Sequence, residues 1–289
     1  MMKLSHESKV RLGVGIGAFV LIIGLVFGIS RMLIHFDGPW NLGAVAIDWP
    51  GKGGRNYSAR PQQLSSETFD ADAFTSLDLD VTSGTVEVKH VSGGPVRVIE
   101  SGRVAKGVSA SDAATQNLVE VKGSTLKIGQ FDCDDKRVID RTVTIELPRE
   151  VAENMAGITA NVGLGDLTVT GIACHDLDLT LDSGDVEFTG TVTDTLNAEV
   201  GLGDATFELN QAPAKSMDVS VGTGDVEITV PNSTGFKASL TLGCGDFESD
   251  FLPDNYDGEM VSGLEFDNGD KSATYRFEVG LGDMSFDSE

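Results

Sequence analysis

From about residue 73 to the end of the chain, apolar and polar residues alternate one for one. Leu77, Leu79 and Val81 are separated by polar residues, Thr82-Ser83-Gly84-Thr85 interrupts, and Val86 and Val88 resume the alternation. The same unit returns as Leu167 and Val169 with Leu177, Leu179 and Leu181, and as Val186 and Phe188 with Leu196, Ala198 and Val200. Phe207 and Leu209 with Met217, Val219 and Val221 follow, then Val226, Ile228 and Val230 with Phe236, Ala238, Leu240 and Leu242. A two-residue period places one side of each segment in a core and the other in water, which predicts strands rather than helices.

The strands are punctuated by a recurring Gly-x-Gly-Asp or Ser-Gly-Asp turn. Its second glycine falls at 165, 184, 203, 224 and 245, a period of 19, 19, 21 and 21 residues. Gly84, Gly165, Gly184, Gly203, Gly224, Gly245 and Gly282 are therefore the expected structural turns. A period near twenty built from strands predicts a β-solenoid, in which stacked units bury a core that none could bury alone. Between 91 and 150 the period blurs, and either degenerate coils or an inserted meander fits. Lys122-Gly123-Ser124 reads as a hairpin loop, and Asn268-Gly269 between Leu264-Glu265-Phe266 and Thr274-Tyr275-Arg276-Phe277 as a second. The only helical periodicity after residue 35 lies at 110–116. The acidic ending Asp287-Ser288-Glu289 is expected to guard an exposed strand edge.

The pattern changes character before the repeats. Residues 12–29 carry no charge, and Met32-Leu33-Ile34 extend the apolar run past Arg31. That length suits a membrane-crossing helix, and Lys3, Lys9 and Arg11 in front of it place the N-terminus in the cytoplasm. A cleaved signal peptide is the competing reading. Glycines at 13, 17, 24 and 28 form Gly-x-x-x-Gly spacings that suit a homodimer through the anchor. The expected organisation is a cytoplasmic tail (1–11), a transmembrane helix (12–34), a stalk (35–72) and a β-solenoid ectodomain (73–289) outside the cell membrane.

The net charge of −24 removes nucleic acid from the partners, because phosphate binding begins with a basic patch. Three scattered cysteines, Cys133, Cys174 and Cys244, lack metal-ligand spacing. In a stack, Asp166, Asp185, Asp204, Asp225 and Asp246 would form a column of like charge. Turn chemistry alone explains each of them, since a carboxylate accepts main-chain N–H bonds in a turn. Weak Ca2+ binding by the column is the alternative, as carboxylate oxygens suit a hard cation. No other cofactor is implied.

Catalysis finds little support. His90 and His175 stand beside no nucleophile motif, and Glu187, Glu208 and Glu227 on strand faces are the remaining carboxylates for a polysaccharide-cutting pair. The chain is thus expected not to be an enzyme.

Val81-Thr82-Ser83-Gly84-Thr85-Val86-Glu87-Val88, Thr144-Ile145-Glu146-Leu147-Pro148 and Asp182-Ser183-Gly184-Asp185-Val186-Glu187-Phe188 carry a resemblance. Over residues 73–289 the chain resembles the bacterial putative-adhesin β-strand-repeat family, a group of cell-envelope proteins of unknown function. Glycine replaces the usual serine in turns such as Gly163-Leu164-Gly165. The resemblance implies a surface β-solenoid that binds a protein or a cell-wall polymer and carries no catalytic residues. It also implies a second reading, an envelope-stress sensor or regulator acting through a membrane partner.

Overall fold

The computed structural model describes residues 56–129, 135–252 and 262–289. The expected tail, membrane helix and dimerisation glycines, the stalk up to residue 55, and Cys133 lie outside these residues. Among the described residues no helix is long and apolar enough to cross a membrane.

In chain order the strands are β1 (Gln62–Phe69), β2 (Ser76–Ser83), β3 (Thr85–Val91), β4 (Val96–Val104), β5 (Val119–Lys122), β6 (Thr125–Ile128) and β7 (Val138–Pro148). They continue as β8 (Met155–Leu164), β9 (Leu167–Ser183), β10 (Val186–Leu202), β11 (Ala205–Gln211), β12 (Ser216–Thr223) and β13 (Val226–Val230). The last are β14 (Phe236–Cys244), β15 (Phe247–Glu248), β16 (Ser262–Asn268), β17 (Ala273–Leu281) and β18 (Met284–Ser288). Two single-turn helices, α1 (Ala110–Ala113) and α2 (Arg149–Ala152), complete the described elements. The alternating apolar residues point inward in every long strand of the stack, the short edge strand β5 with its exposed Val121 excepted, and one large cluster runs from Phe74 to Phe286.

The strands form two walls joined at glycine corners. One wall runs β5–β6–β2–β8–β9–β10–β12–β17–β14–β16, using the C-terminal halves of β9 and β10. The other runs β1–β4–β7–β3–β9–β10–β11–β13–β18–β15, using their N-terminal halves. Each rung is a strand of the first wall, a glycine corner and a strand of the second. The central rungs pair in parallel and in register, as in a solenoid.

Both ends depart from sequence order. The rung β17–β18 lies between β12–β13 and β14–β15, although it comes last in the chain. Asp287 and its neighbours therefore do not guard an edge; β18 is flanked on both sides. The Asn268-Gly269 signal does not close a hairpin either, since β14 stands between β16 and β17. The connection crosses the entry to β14 instead, where Asn268 Nδ2 donates to the carbonyls of Asn232 (3.2 Å) and Thr234 (2.8 Å). Phe236 fills the core at this end, stacked on Tyr275 (centroids 5.2 Å apart) and edge-on to Phe251 (5.0 Å).

At the other end, the blurred region mixes coil with meander. β6 and β7 extend the two walls in parallel beside β2 and β3, whereas β4, β1 and β5 add in antiparallel. Residues 62–69, expected in the stalk, belong to this end as β1. Only Leu64 of β1 is buried, packed with Val104, Ala113 and Val138 in a small second core. One inward residue gives no alternation to read.

Candidate functional site

The corners stack into columns along one edge of the molecule, in the order Gly84, Gly165, Gly184, Gly203, Gly224, Gly282, Gly245. All have φ between 131° and 141°, a region side chains with a Cβ rarely adopt. Position also excludes a side chain: a Cβ on Gly184 would collide with the carbonyl of Gly165, and one on Gly203 with that of Gly184.

The aspartates follow the same order. Asp166 Oδ1 accepts the main-chain N–H of Asp185 at 3.2 Å, and Asp185 Oδ1 that of Asp204 at 3.0 Å. Asp204 Oδ1 takes the N–H of Asp225 at 2.8 Å, Asp225 Oδ1 that of Asp283 at 2.8 Å, and Asp283 Oδ1 that of Asp246 at 2.9 Å. Asp225 and Asp246 are thus not neighbours; Asp283 separates them. Carboxylates on adjacent strands, about 4.8 Å apart, repel by roughly 1 kcal/mol in water. A hydrogen bond to a charged acceptor is worth about 1.5–3 kcal/mol, so the bond outweighs the repulsion. Each bond also laces one rung to the next. Among the described residues no group of three or more His, Cys, Asp or Glu is arranged to hold a metal ion.

The residue just before the corner glycine is large or small by turns: Ser83, Leu164, Ser183, Leu202, Thr223, Leu281, Cys244 in stack order. Four residues further on, the outer face of the second wall reads Glu87, Thr168, Glu187, Thr206, Glu227, Ser285, Glu248. Rungs with leucine carry a hydroxyl, and rungs without it carry a carboxylate. Both alternations exist only in the folded order. Without the inserted rung, Glu248 would lie directly against Glu227, where like charges opposed across strands destabilise.

Glu187 and Glu227 stand two rungs apart with Thr206 between them, and Glu208 lies in the adjacent row, accepting from Thr189 Oγ1 at 3.2 Å. All three carboxylates face solvent on an open wall. On the first wall, Asp178, Asn197, Asp218 and Arg276 line a shallow depression of about 360 Å3, where Arg276 pairs with Asp218 at 2.9 Å. His175 is exposed, its Nδ1 2.9 Å from Thr193 Oγ1. His90 is exposed on β3. Cys174 is buried, and burial, with a smaller contribution from the Asp176 charge, pushes its thiol up to about 12. Cys244 is a free thiol at the exposed corner of its rung.

One constellation was invisible in the sequence. Glu100, fully buried on β4, pairs with Arg141 on β7, and Arg141 Nη2 also reaches Asp135 Oδ2 at 3.1 Å. Thr115 donates to Glu100 through both its hydroxyl (2.6 Å) and its main-chain N–H (2.9 Å). The hydrogen bond from Arg137, against the opposing effect of burial, holds Asp135 below its usual range. The network pins the α1 loop onto β4 and β7. Its members are far apart in sequence and share no motif.

Residues 73–285, which hold every glycine corner, match the Toastrack DUF4097 family model. The chain belongs to the Toastrack DUF4097 family. This agrees with the resemblance drawn from the strand repeats, and β1 lies outside the matched Toastrack span. Among solved structures, the Toastrack chain is similar to a putative cell adhesion protein from Clostridium sporogenes, at 14% identity and TM-score 0.41 over 80% of this chain and 100% of that one. It is similar to a putative adhesin from Bacteroides fragilis, at 14% identity and TM-score 0.34 over 79% and 98%. A third is a putative adhesin from Parabacteroides distasonis, at 12% identity and TM-score 0.29 over 80% and 97%. No curated protein matches the chain.

Proposed function

We propose that this Toastrack protein is a non-catalytic binding module, anchored through residues 12–34 and displayed outside the cell membrane in the manner of an adhesin. The observation that carries this reading is the regularity of the outer faces. Hydroxyl and carboxylate side chains run in register from rung to rung, at the strand spacing, along the length of the stack. A repetitive surface of this kind suits an extended or repeating ligand better than a small molecule, which needs a concave pocket. The candidate reactive groups agree. The Cys174 thiol is buried and held protonated, and the face carboxylates stand on an open wall with nothing to shield a reaction from water. Anchoring rests on the uncharged run 12–29 with Lys3, Lys9 and Arg11 before it.

The test uses intact cells carrying a Cys133→Ser form of the full chain. A membrane-impermeant maleimide should label Cys244, and a photo-crosslinker on the outer walls should capture wall polymer or an external protein. Labelling only after lysis overturns surface display. Capture of a membrane kinase alone favours the sensor.

A further inference from the structure

The rung β17–β18 is synthesised last, yet it stands between β12–β13 and β14–β15. Its two neighbours meet it in one register. Val219 and Leu240 both pair with Phe277, and Val221 and Leu242 both pair with Val279. On the second wall Val226 and Phe247 both pair with Met284. Without β17–β18, a shift of β14–β15 by one strand spacing, about 4.8 Å, sets it directly on β12–β13. The inward rows stay inward, because the register does not slip. The corner permits the same step. Asp225 Oδ1 accepts the N–H of Asp283, and Asp283 Oδ1 accepts that of Asp246. With Asp283 withdrawn, the N–H of Asp246 meets the Asp225 oxygen instead. Chain length also fits. The 21 residues from Gly203 to Gly224 advance the chain by one rung, whereas the 21 from Gly224 to Gly245 advance it by two. A stretch long enough for two rungs is long enough for one.

We infer that β17–β18 is a removable rung, and that β14–β15 closes on β12–β13 when it leaves, giving the chain a second folded order. During synthesis this second order is the one available until residues 273–289 appear. The inserted order wins once they do. It buries Tyr275, Phe277 and Phe286, and it gives Phe236 a stacked ring in Tyr275 and an edge-on ring in Phe286. It also places Ser285 between Glu227 and Glu248, parting two like charges. Departure of the rung shortens the stack by one strand spacing and sets Glu227 beside Glu248 on the outer face of the second wall. The fold thus holds a two-state element whose balance is set by the last rung. This inference does not depend on the binding-module reading.

The test uses the full-length chain in detergent, carrying Cys133→Ser and Thr223→Cys. Thr223 and Cys244 both pair with Leu281, so they lie about 9.5 Å apart across the inserted rung and about 4.8 Å apart without it. Only the second separation suits a disulfide. Phe277→Asp with Phe286→Asp puts two carboxylates in the core and should expel the rung. Mild oxidation should then link position 223 to Cys244 at least about tenfold more than in the chain that keeps both phenylalanines. Buried Cys174 should resist iodoacetamide in both chains, which shows that the rest of the stack still stands. A standing stack without the crosslink overturns the inference, because β14–β15 then fails to close the gap. Exposure of Cys174 overturns it too, because the stack then has no folded order without its last rung. Leu202→Cys in place of Thr223→Cys lies one rung further from Cys244 in either order and should give little crosslink. An equal yield there means random collision and also overturns the inference. Labelling of Cys244 on intact cells tests the binding-module reading separately, and none of these outcomes bears on it.

Discussion

The main-chain N–H of Asp283 donates to Oδ1 of Asp225, 58 residues earlier, at 2.8 Å. This bond fixes the last rung of the chain inside the stack rather than at its end. Thr223, Leu281 and Cys244 are consecutive there, with Leu281 paired to each of the others.

That order makes a covalent prediction. Paired positions on neighbouring strands lie within the 4.4–6.8 Å Cα separation of a disulfide, whereas positions two rungs apart, at about 9.5 Å, do not. In a Cys133→Ser background, Leu281→Cys should crosslink to the native Cys244 under mild oxidation, and Thr223→Cys should leave both thiols free. Mass spectrometry of unreduced digests reads the result, and a 223–244 crosslink would restore the sequential order.

The aspartate column makes an energetic one. Asp225→Ala removes the acceptor for Asp283 N–H and should cost about 1–2 kcal/mol in urea unfolding, the low end for a bond to a charged group at an exposed site. Asp225→Asn keeps an oxygen in place and removes a like charge from the column, so it should stay within about 0.5 kcal/mol of the parent. Equal losses in the two variants would mean that charge, not acceptance of the N–H, is what the turn needs.

A loop glycine, Gly94 between β3 and β4, and a corner glycine, Gly184, separate conformation from crowding. Gly94 has φ +103° and open space where a methyl group would sit, whereas Gly184 has φ +133° against the Gly165 carbonyl. Gly94→Ala should lose about 1–2 kcal/mol from strain alone. Gly184→Ala carries the same strain and must also push neighbouring rungs away from each other, so it should lose at least about 3 kcal/mol or fail to fold. Similar melting temperatures for the two would show that the stack yields at its corners.

How much of this was legible beforehand follows from what each signal encodes. Alternation such as Leu177, Leu179, Leu181 reports only which side of a strand is dry, and that side is buried here. Gly165, Gly184 and Gly203 report where the chain turns, because no other residue fits there. Neither reports which rung lies beside which. Each corner from Gly165 onward carries the same Gly-Asp turn, so local sequence does not distinguish Asp283 from Asp246 as the neighbour of Asp225. The leucine and glutamate alternation is broken in sequence, where Glu248 follows Glu227 rung for rung, and is restored only when β18 brings Ser285 between them. Asn268-Gly269 is a sound turn signal that fails as a hairpin signal because β14 occupies the intervening place.

The buried ion pair should be far costlier to break than to replace. Arg141→Met leaves Glu100 charged and enclosed, a loss of about 3–5 kcal/mol. Adding Glu100→Gln in the same chain removes the stranded charge and should recover more than half of that loss. A double-variant cycle in urea measures the coupling; additive losses would show that the two side chains do not depend on each other.

Alkaline pH provides the last test. The Cys174 thiol moves from its ordinary value of 9.0 up to about 12 in the folded chain because burial disfavours the thiolate. Burial likewise raises Tyr275, whose hydroxyl donates to the Pro213 carbonyl at 2.9 Å. For a group raised on folding, the unfolded chain releases its proton first, so its contribution is intact below the unfolded value and is lost as pH climbs towards the folded one. Stability should therefore fall between about pH 9 and pH 12. Cys174→Ala should lower stability near neutrality by opening a small cavity, yet flatten this alkaline decline. Native Cys174 should also resist iodoacetamide at pH 9 while exposed Cys244 reacts, because both access and thiolate are withheld. An unchanged alkaline slope in Cys174→Ala, or equal alkylation of the two thiols in the folded protein, would place Cys174 at the surface and open the core that the stacked rungs share.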